Sequence, residues 1–134
     1  MKMNTRWIAG FLSICLAVLT ACSKDMADRL DGRWQMRQTE AGGNVRKADT
    51  VFYNFQTSLF QYQIYDSRTN TYPGGYGFKT MKGDNGLLLQ LEANDDFLKQ
   101  TDWTSNERVF TIEKLTGKEL ILTGEGKRYT FRRF

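Results

Sequence analysis

The side chains that could do covalent or acid–base chemistry are few, and their types limit what the chain can do. The 134 residues contain no histidine and two cysteines, Cys15 and Cys22. Without histidine there is no imidazole base for a serine or cysteine nucleophile, and the commonest metal ligand is missing. Fifteen acidic residues are present. Two carboxylates can run glycoside hydrolysis, but among fifteen some pair always falls close, so no pair is singled out. Asn94, Asp95, Asp96 and Asp102 offer oxygen ligands, yet their spacing does not match the twelve-residue calcium loop. A solvated acidic loop is the expectation there. The reading is of a non-enzyme, with no catalytic residues, no metal and no cofactor.

The distinctive group is the thiol of Cys22. Lys2 and Arg6 precede an apolar run from Trp7 to Leu19, broken by Gly10 and Ser13, and small residues lead to Cys22. This is the three-part layout of a signal peptide, and the run is too short to span a hydrocarbon core of ~30 Å comfortably. Leu19-Thr20-Ala21-Cys22 resembles the lipobox of bacterial lipoproteins. The resemblance implies cleavage before Cys22, with diacylglycerol on its thiol and a further acyl chain (of the palmitate type) on its amino group. Two or three chains anchor durably, since each buried CH₂ contributes ~0.8 kcal/mol. Ser23 is not the aspartate that retains such proteins in the inner membrane, which implies the outer membrane. Ser23-Lys24-Asp25 is also similar to a short export tag of surface lipoproteins, and reads equally well as a solvated tether.

Lys2 and Arg6 both lie within residues 1–21, which hold no acid. The remainder therefore has 17 bases against 15 acids, a net +2. No broad electropositive face is expected, and no nucleic-acid partner. The organisation expected is a leader over 1–21, a lipidated tether over 22–31 and one domain over 32–134.

That domain must be built from strands. Eight segments show period-two alternation between turn residues. They are 33–39, 50–56, 59–66, 76–82, 87–92, 108–114, 119–123 and 127–134. Phe60, Tyr62 and Ile64 alternating with Gln61 and Gln63 make the clearest half-buried strand. Asp84-Asn85-Gly86 is a strong hairpin signal. Residues 93–106 form the longest irregular stretch, with room for a helical turn. Eight strands joined mostly by short turns suit an antiparallel up-and-down barrel, because closure removes the two exposed edges of a flat sheet.

The aromatics on these strands have two readings. Tyr53, Phe55, Phe60, Tyr62, Tyr76, Phe78 and Phe110, with Phe131, form the core of a small β domain, or they line an apolar pocket with tyrosine hydroxyls as polar handles. Tyr72 and Trp103 fall in loops, where they would cap the barrel mouth or contact an envelope protein or glycan.

Gly32-Arg33-Trp34 at the start of the first strand, with a meander ending in a basic aromatic strand, resembles the lipocalin and wider calycin superfamily. More closely, residues 30–134 are similar to small lipocalin-like lipoproteins of Gram-negative bacteria. The resemblance implies that Trp34 closes the barrel floor and that an arginine of the last strand packs on its ring. Arg128, Arg132 and Arg133 match, and Arg132 is taken. Such a contact contributes roughly 0.5–2 kcal/mol. The chain is shorter than typical lipocalins, lacks their Thr-Asp-Tyr motif and shows no long helix after the last strand. The function implied is binding of a small apolar or amphipathic ligand at the envelope. A packed barrel that binds protein or glycan through its loops is the alternative.

Overall fold

The structure is a computed structural model, and it describes residues 26–134. The expected leader, the Cys22 lipid site and the Ser23-Lys24-Asp25 segment lie outside the described residues. A helical turn, α1 (26–30), leads into nine strands and one short helix. These are β1 (Gly32–Ala41), β2 (Asn44–Lys47), β3 (Val51–Gln56), β4 (Leu59–Ile64), β5 (Gly74–Lys82), β6 (Gly86–Glu92), α2 (Asp95–Leu98), β7 (Glu107–Leu115), β8 (Glu119–Gly124) and β9 (Lys127–Arg133).

Every strand pairs antiparallel with its neighbours, and β9 returns to pair with β1, closing an eight-stranded barrel. The ninth strand, β2, is an addition. The first half of β1 pairs with β3, and its last four residues pair with β2. Gly42 and Gly43, at φ 57° and 82°, make the turn between β1 and β2, which needs positive φ at both central positions. All four residues of β2 are exposed. Without a buried face Asn44-Val45-Arg46-Lys47 has no alternation to read, so this strand was absent from the sequence expectation.

Inward rows from the remaining strands fill the barrel. Trp34, Tyr53, Phe60, Tyr62, Leu87, Leu89, Leu91, Phe110, Leu120, Leu122, Tyr129 and Phe131 are all buried in one apolar cluster. Tyr53 lies at its centre, with ring centroids of Phe60, Tyr62 and Phe131 at 5.2, 5.0 and 4.8 Å. Offset and edge contacts of this kind add to the energy of burial.

The floor is closed by α1 and by Trp34, whose indole Nε1 donates to the carbonyl of Leu30 at 2.8 Å. The arginine on its ring is Arg133, at 4.3 Å from the centroid. Arg132 is therefore corrected. Alternation along β9 puts Tyr129 and Phe131 inside and Arg132 on the outer face, opposite Gln35. Arg133, at the end of the strand, folds under the floor and donates to the carbonyls of Gly117, Asp31 and Arg29 at 2.8, 2.9 and 3.0 Å.

β5 is turned over relative to expectation. Pairing of Lys79 with Leu89 and of Gly77 with Leu91 puts Gly75, Gly77 and Lys79 on the inner face. Tyr76 and Phe78 are accordingly 68% and 44% exposed on the outer wall, which corrects their placement among the inward aromatics. A Cβ at Gly77 would fall 1.7 Å from the Gln90 carbonyl oxygen, and one at Gly75 within 3.5 Å of Ala93, Leu91 and Phe97. Phe97 of α2 with Leu91 and Ala93 fills the interior beside Gly75, and the β6 backbone crowds Gly77, so β5 turns glycines toward both.

Candidate functional site

The two ends of the barrel differ. At the floor, main-chain carbonyls accept from Trp34 and Arg133, and Lys79 pairs with the partly exposed Asp31. Lys79 lies inside, with Nζ 2.9 Å from Asp31 Oδ1 and 3.3 Å from the Ala27 carbonyl. The opposite end, where β1 meets β2 and β8 turns into β9, holds a half-open cavity of about 510 Å³.

The β6–β7 connection builds one side of this cavity. Asn94 caps α2, its Oδ1 accepting from the amide of Phe97 at 2.8 Å. Asparagine is a preferred residue at that position because its side chain satisfies an amide left free by the first turn. The connection then turns inward, and Trp103, only 5% exposed, plugs the top of the barrel. Its indole lies nearly parallel to Phe60 at 5.9 Å, and Nε1 donates to the Tyr53 hydroxyl at 3.0 Å. Of the two expectations for Trp103, capping the barrel mouth is the one the structure takes, and the partner contact is corrected: an indole offers more apolar surface to bury than any other side chain of the segment, and Tyr53 supplies the acceptor its N–H needs.

Asp102, next to Trp103, collects donors. Its Oδ2 accepts from the Tyr129 hydroxyl and from Arg108 Nη1 at 3.2 Å, and Lys127 Nζ lies 3.6 Å away. Arg108 is 2% exposed; it also donates to the Gly124 carbonyl at 3.3 Å and stands 3.7 Å from Glu125. Burial alone would lower this guanidinium, but Tyr129 and Asp102 outweigh it and hold its pKa raised. The tyrosine hydroxyls are held neutral. Burial, joined by Tyr62 and Asp102, pushes Tyr53 well above its ordinary value. Tyr62 is raised by burial and then by the charge of Asp102. Tyr129 is raised by burial and by its hydrogen bond to Asp102.

Above this network the cavity has two characters. Met36, Ala48, Val51 and Tyr62 form an apolar wall, while Thr39, Asn44, Arg46, Gln100, Asp102 and Lys127 form a polar rim. The negative charge of Asp102 is already answered by Arg108 and Lys127, so the local excess is positive, with Arg46 on β2. Such a site can hold an apolar body against the wall and an acidic or polar head at the rim. Among the described residues no group of three His, Cys, Asp or Glu gathers to hold a metal.

Of the sequence-expected pocket residues, Tyr62 alone borders this cavity. Tyr53, Phe55, Phe60 and Phe110 lie beneath it in the packed interior. Tyr72 is 40% exposed but lies on the outer wall, its ring 5.6 Å from Phe52 and 4.9 Å from Tyr65, with the Arg33 guanidinium 4.8 Å away. Tyr72 and Trp103 therefore do not meet on one rim. Sequence reasoning missed Arg46, Lys127 and the Arg108–Asp102–Tyr129 network. An arginine at an inward position in β7, two residues before Phe110, was the available signal.

A closed antiparallel barrel with a tryptophan floor, an arginine beneath it and a cavity at the far end fits one group of proteins, and the family described as lipocalin-like domain matches residues 17–134. The chain belongs to this lipocalin-like family. A lipocalin-like protein from Bacteroides uniformis shares its fold with a TM-score of 0.71 and 28% identity, over 79% of this chain and 99% of that one. An uncharacterized protein from Bacteroides eggerthii matches with a TM-score of 0.70 and 28% identity, over 78% and 98%. No curated protein gives a significant match. The lipocalin-like fold supports a binding-protein type.

Proposed function

We propose that this lipocalin-like chain is a membrane-anchored binding protein of the cell envelope, holding a small amphipathic ligand in the cavity at the mouth of its barrel. One observation carries the reading: the cavity of about 510 Å³ is lined both by apolar side chains (Met36, Val51, Tyr62) and by the cations Arg46 and Lys127. That size and mixed lining suit a small molecule. Because Trp103 and the aromatics below it fill the barrel, the ligand sits on top of the core rather than within it. Burial of its apolar part supplies affinity at about 25 cal/mol per Å², and the rim orients its head.

The anchor is the lipid on Cys22, and Ser23 directs the protein to the outer membrane. The alternative of a loop-based module for protein or glycan gains no support from the placement of Trp103 inside and Tyr72 on the wall. Native mass spectrometry of freshly purified protein tests the binding reading. A reproducible extra mass that leaves on denaturation and is lost in a variant with a filled cavity, Ala48→Trp, is the expected result. An extra mass that survives Ala48→Trp would place the ligand elsewhere and sink the assignment.

A further inference from the structure

The outer wall over β4 to β7 carries an apolar stripe that the binding reading does not use. Leu59 on β4 is the direct partner of Phe78 on β5, with Tyr76 two residues along the same face. Leu88 on β6 is the direct partner of Val109 on β7. Leu59, Phe78, Tyr76 and Val109 are 48%, 44%, 68% and 61% exposed. A shallow groove of about 500 Å³, bordered by Leu59, Tyr76 and Gln61, lies on the same wall. Isolated exposed apolar residues need no explanation, but the pairs Leu59–Phe78 and Leu88–Val109 are diagonal neighbours across β5 and β6, where Phe78 faces Gln90 and Leu88 faces Thr80, and such a grouping marks an interaction surface.

The path of the chain says what lies against it. Helix α1 crosses the floor from the β5 side to the β9 side. The Ala27 carbonyl accepts from Lys79, the residue after Phe78, while the Arg29 carbonyl accepts from Arg133 at the end of β9. Asp31 is fixed to the β3–β4 turn by the Thr57 amide at 3.1 Å. The chain therefore reaches the barrel at the rim that carries Leu59 and Phe78. Four residue steps separate Met26 from Cys22, a reach of at most roughly 14 Å. We propose that the β4–β6 outer wall, through Leu59, Tyr76 and Phe78, rests on the lipid surface in which the Cys22 anchor is embedded. The barrel then lies on this wall, with its mouth cavity facing sideways and upward into the aqueous space. Tyrosine and other amphipathic or aromatic side chains favour the headgroup boundary, and an anchor within so short a reach keeps the wall against it. This inference rests on the lipid-anchor part of the function proposed above.

The test uses the full-length gene, so that export and lipidation occur. The purified protein is reconstituted into phosphatidylethanolamine/phosphatidylglycerol vesicles containing nitroxide-labelled lipid. Single variants Leu59→Cys, Phe78→Cys and, as a control on β2 at the mouth, Val45→Cys carry a fluorophore on the new thiol. Quenching several-fold stronger at 59 and 78 than at 45 is expected. Equal quenching at all three sites would overturn the proposal while leaving the anchor intact. Labels at 59 and 78 that are shielded without quenching, with copies cross-linking through Phe78→Cys, would also overturn it and make the wall a contact between copies. Failure of the unlabelled protein to float with vesicles would remove the anchor and this proposal with it.

Discussion

The indole Nε1 of Trp103 donates to the hydroxyl of Tyr53 at 3.0 Å, joining a loop to the middle of β3 across fifty residues of chain. This bond fixes the plug between the filled interior and the cavity above it. Tyr53→Phe keeps the ring packing but leaves the buried Trp103 N–H without its acceptor, so a loss of about 1–3 kcal/mol is expected in urea unfolding. Trp103→Ala also removes the stacked indole, and a loss of about 3–5 kcal/mol is expected. An equal effect of the two changes would mean that the ring contributes little beyond its hydrogen bond.

Arg133 and Arg132 are adjacent, but only Arg133 lies over Trp34 and reaches three carbonyls beneath the floor. Arg133→Ala should cost about 2–3 kcal/mol, from one cation–π contact and charge-assisted hydrogen bonds to neutral acceptors. Arg132→Ala should fall within about 0.5 kcal/mol of the parent, as surface substitutions do. Thermal unfolding of the two variants side by side decides between them.

Stability should fall above about pH 10. The folded values of Tyr53, Tyr62 and Tyr129 are raised, first by burial. Between the unfolded and folded values the unfolded chain has lost a proton that the native chain keeps, so rising pH favours unfolding. The stabilisation is complete below pH 10 and declines by about 1.4 kcal/mol per pH unit for each such tyrosine. Ultraviolet tyrosinate absorbance followed together with circular dichroism should show these three hydroxyls ionising with loss of the fold. Their ionisation in a fully folded protein would contradict the burial.

The barrel was legible in the sequence wherever one face of a strand is apolar and the other polar, as in Phe60-Gln61-Tyr62-Gln63 and Leu120 with Leu122. Three features were not. β2 has no buried face, so alternation could not mark it. β5 was assigned the wrong inner face because apolar mass at Tyr76 and Phe78 outweighs glycine in any pattern; Phe97 leaves room only for glycine at position 75, and the β6 backbone only for glycine at 77. Lys79 is buried against Asp31, 48 residues away in the chain, and such a pairing cannot be read from local spacing; Arg108 has Asp102 only six residues before it, but the other partners of this network, Tyr129 and the Gly124 carbonyl, come from β9 and the end of β8. The same holds for the mouth cavity, whose lining comes from β1, β2, β3, β4, the β6–β7 connection and β9. The tryptophan floor was legible as a motif, and so was its arginine: the alternation that carries Tyr129 and Phe131 inward points to Arg133, the partner of Trp34 in the pairing of β9 with β1, rather than to Arg132.

The central claim, that the mouth cavity is the ligand site, is tested most directly by calorimetric titration of the purified protein with decanoate, an apolar chain with an acidic head. Binding at one site per chain is predicted, weakened at least tenfold by Ala48→Trp, which fills the cavity, and several-fold by Arg46→Ala, which removes a rim cation. Absence of binding, or binding unchanged by Ala48→Trp, would contradict it.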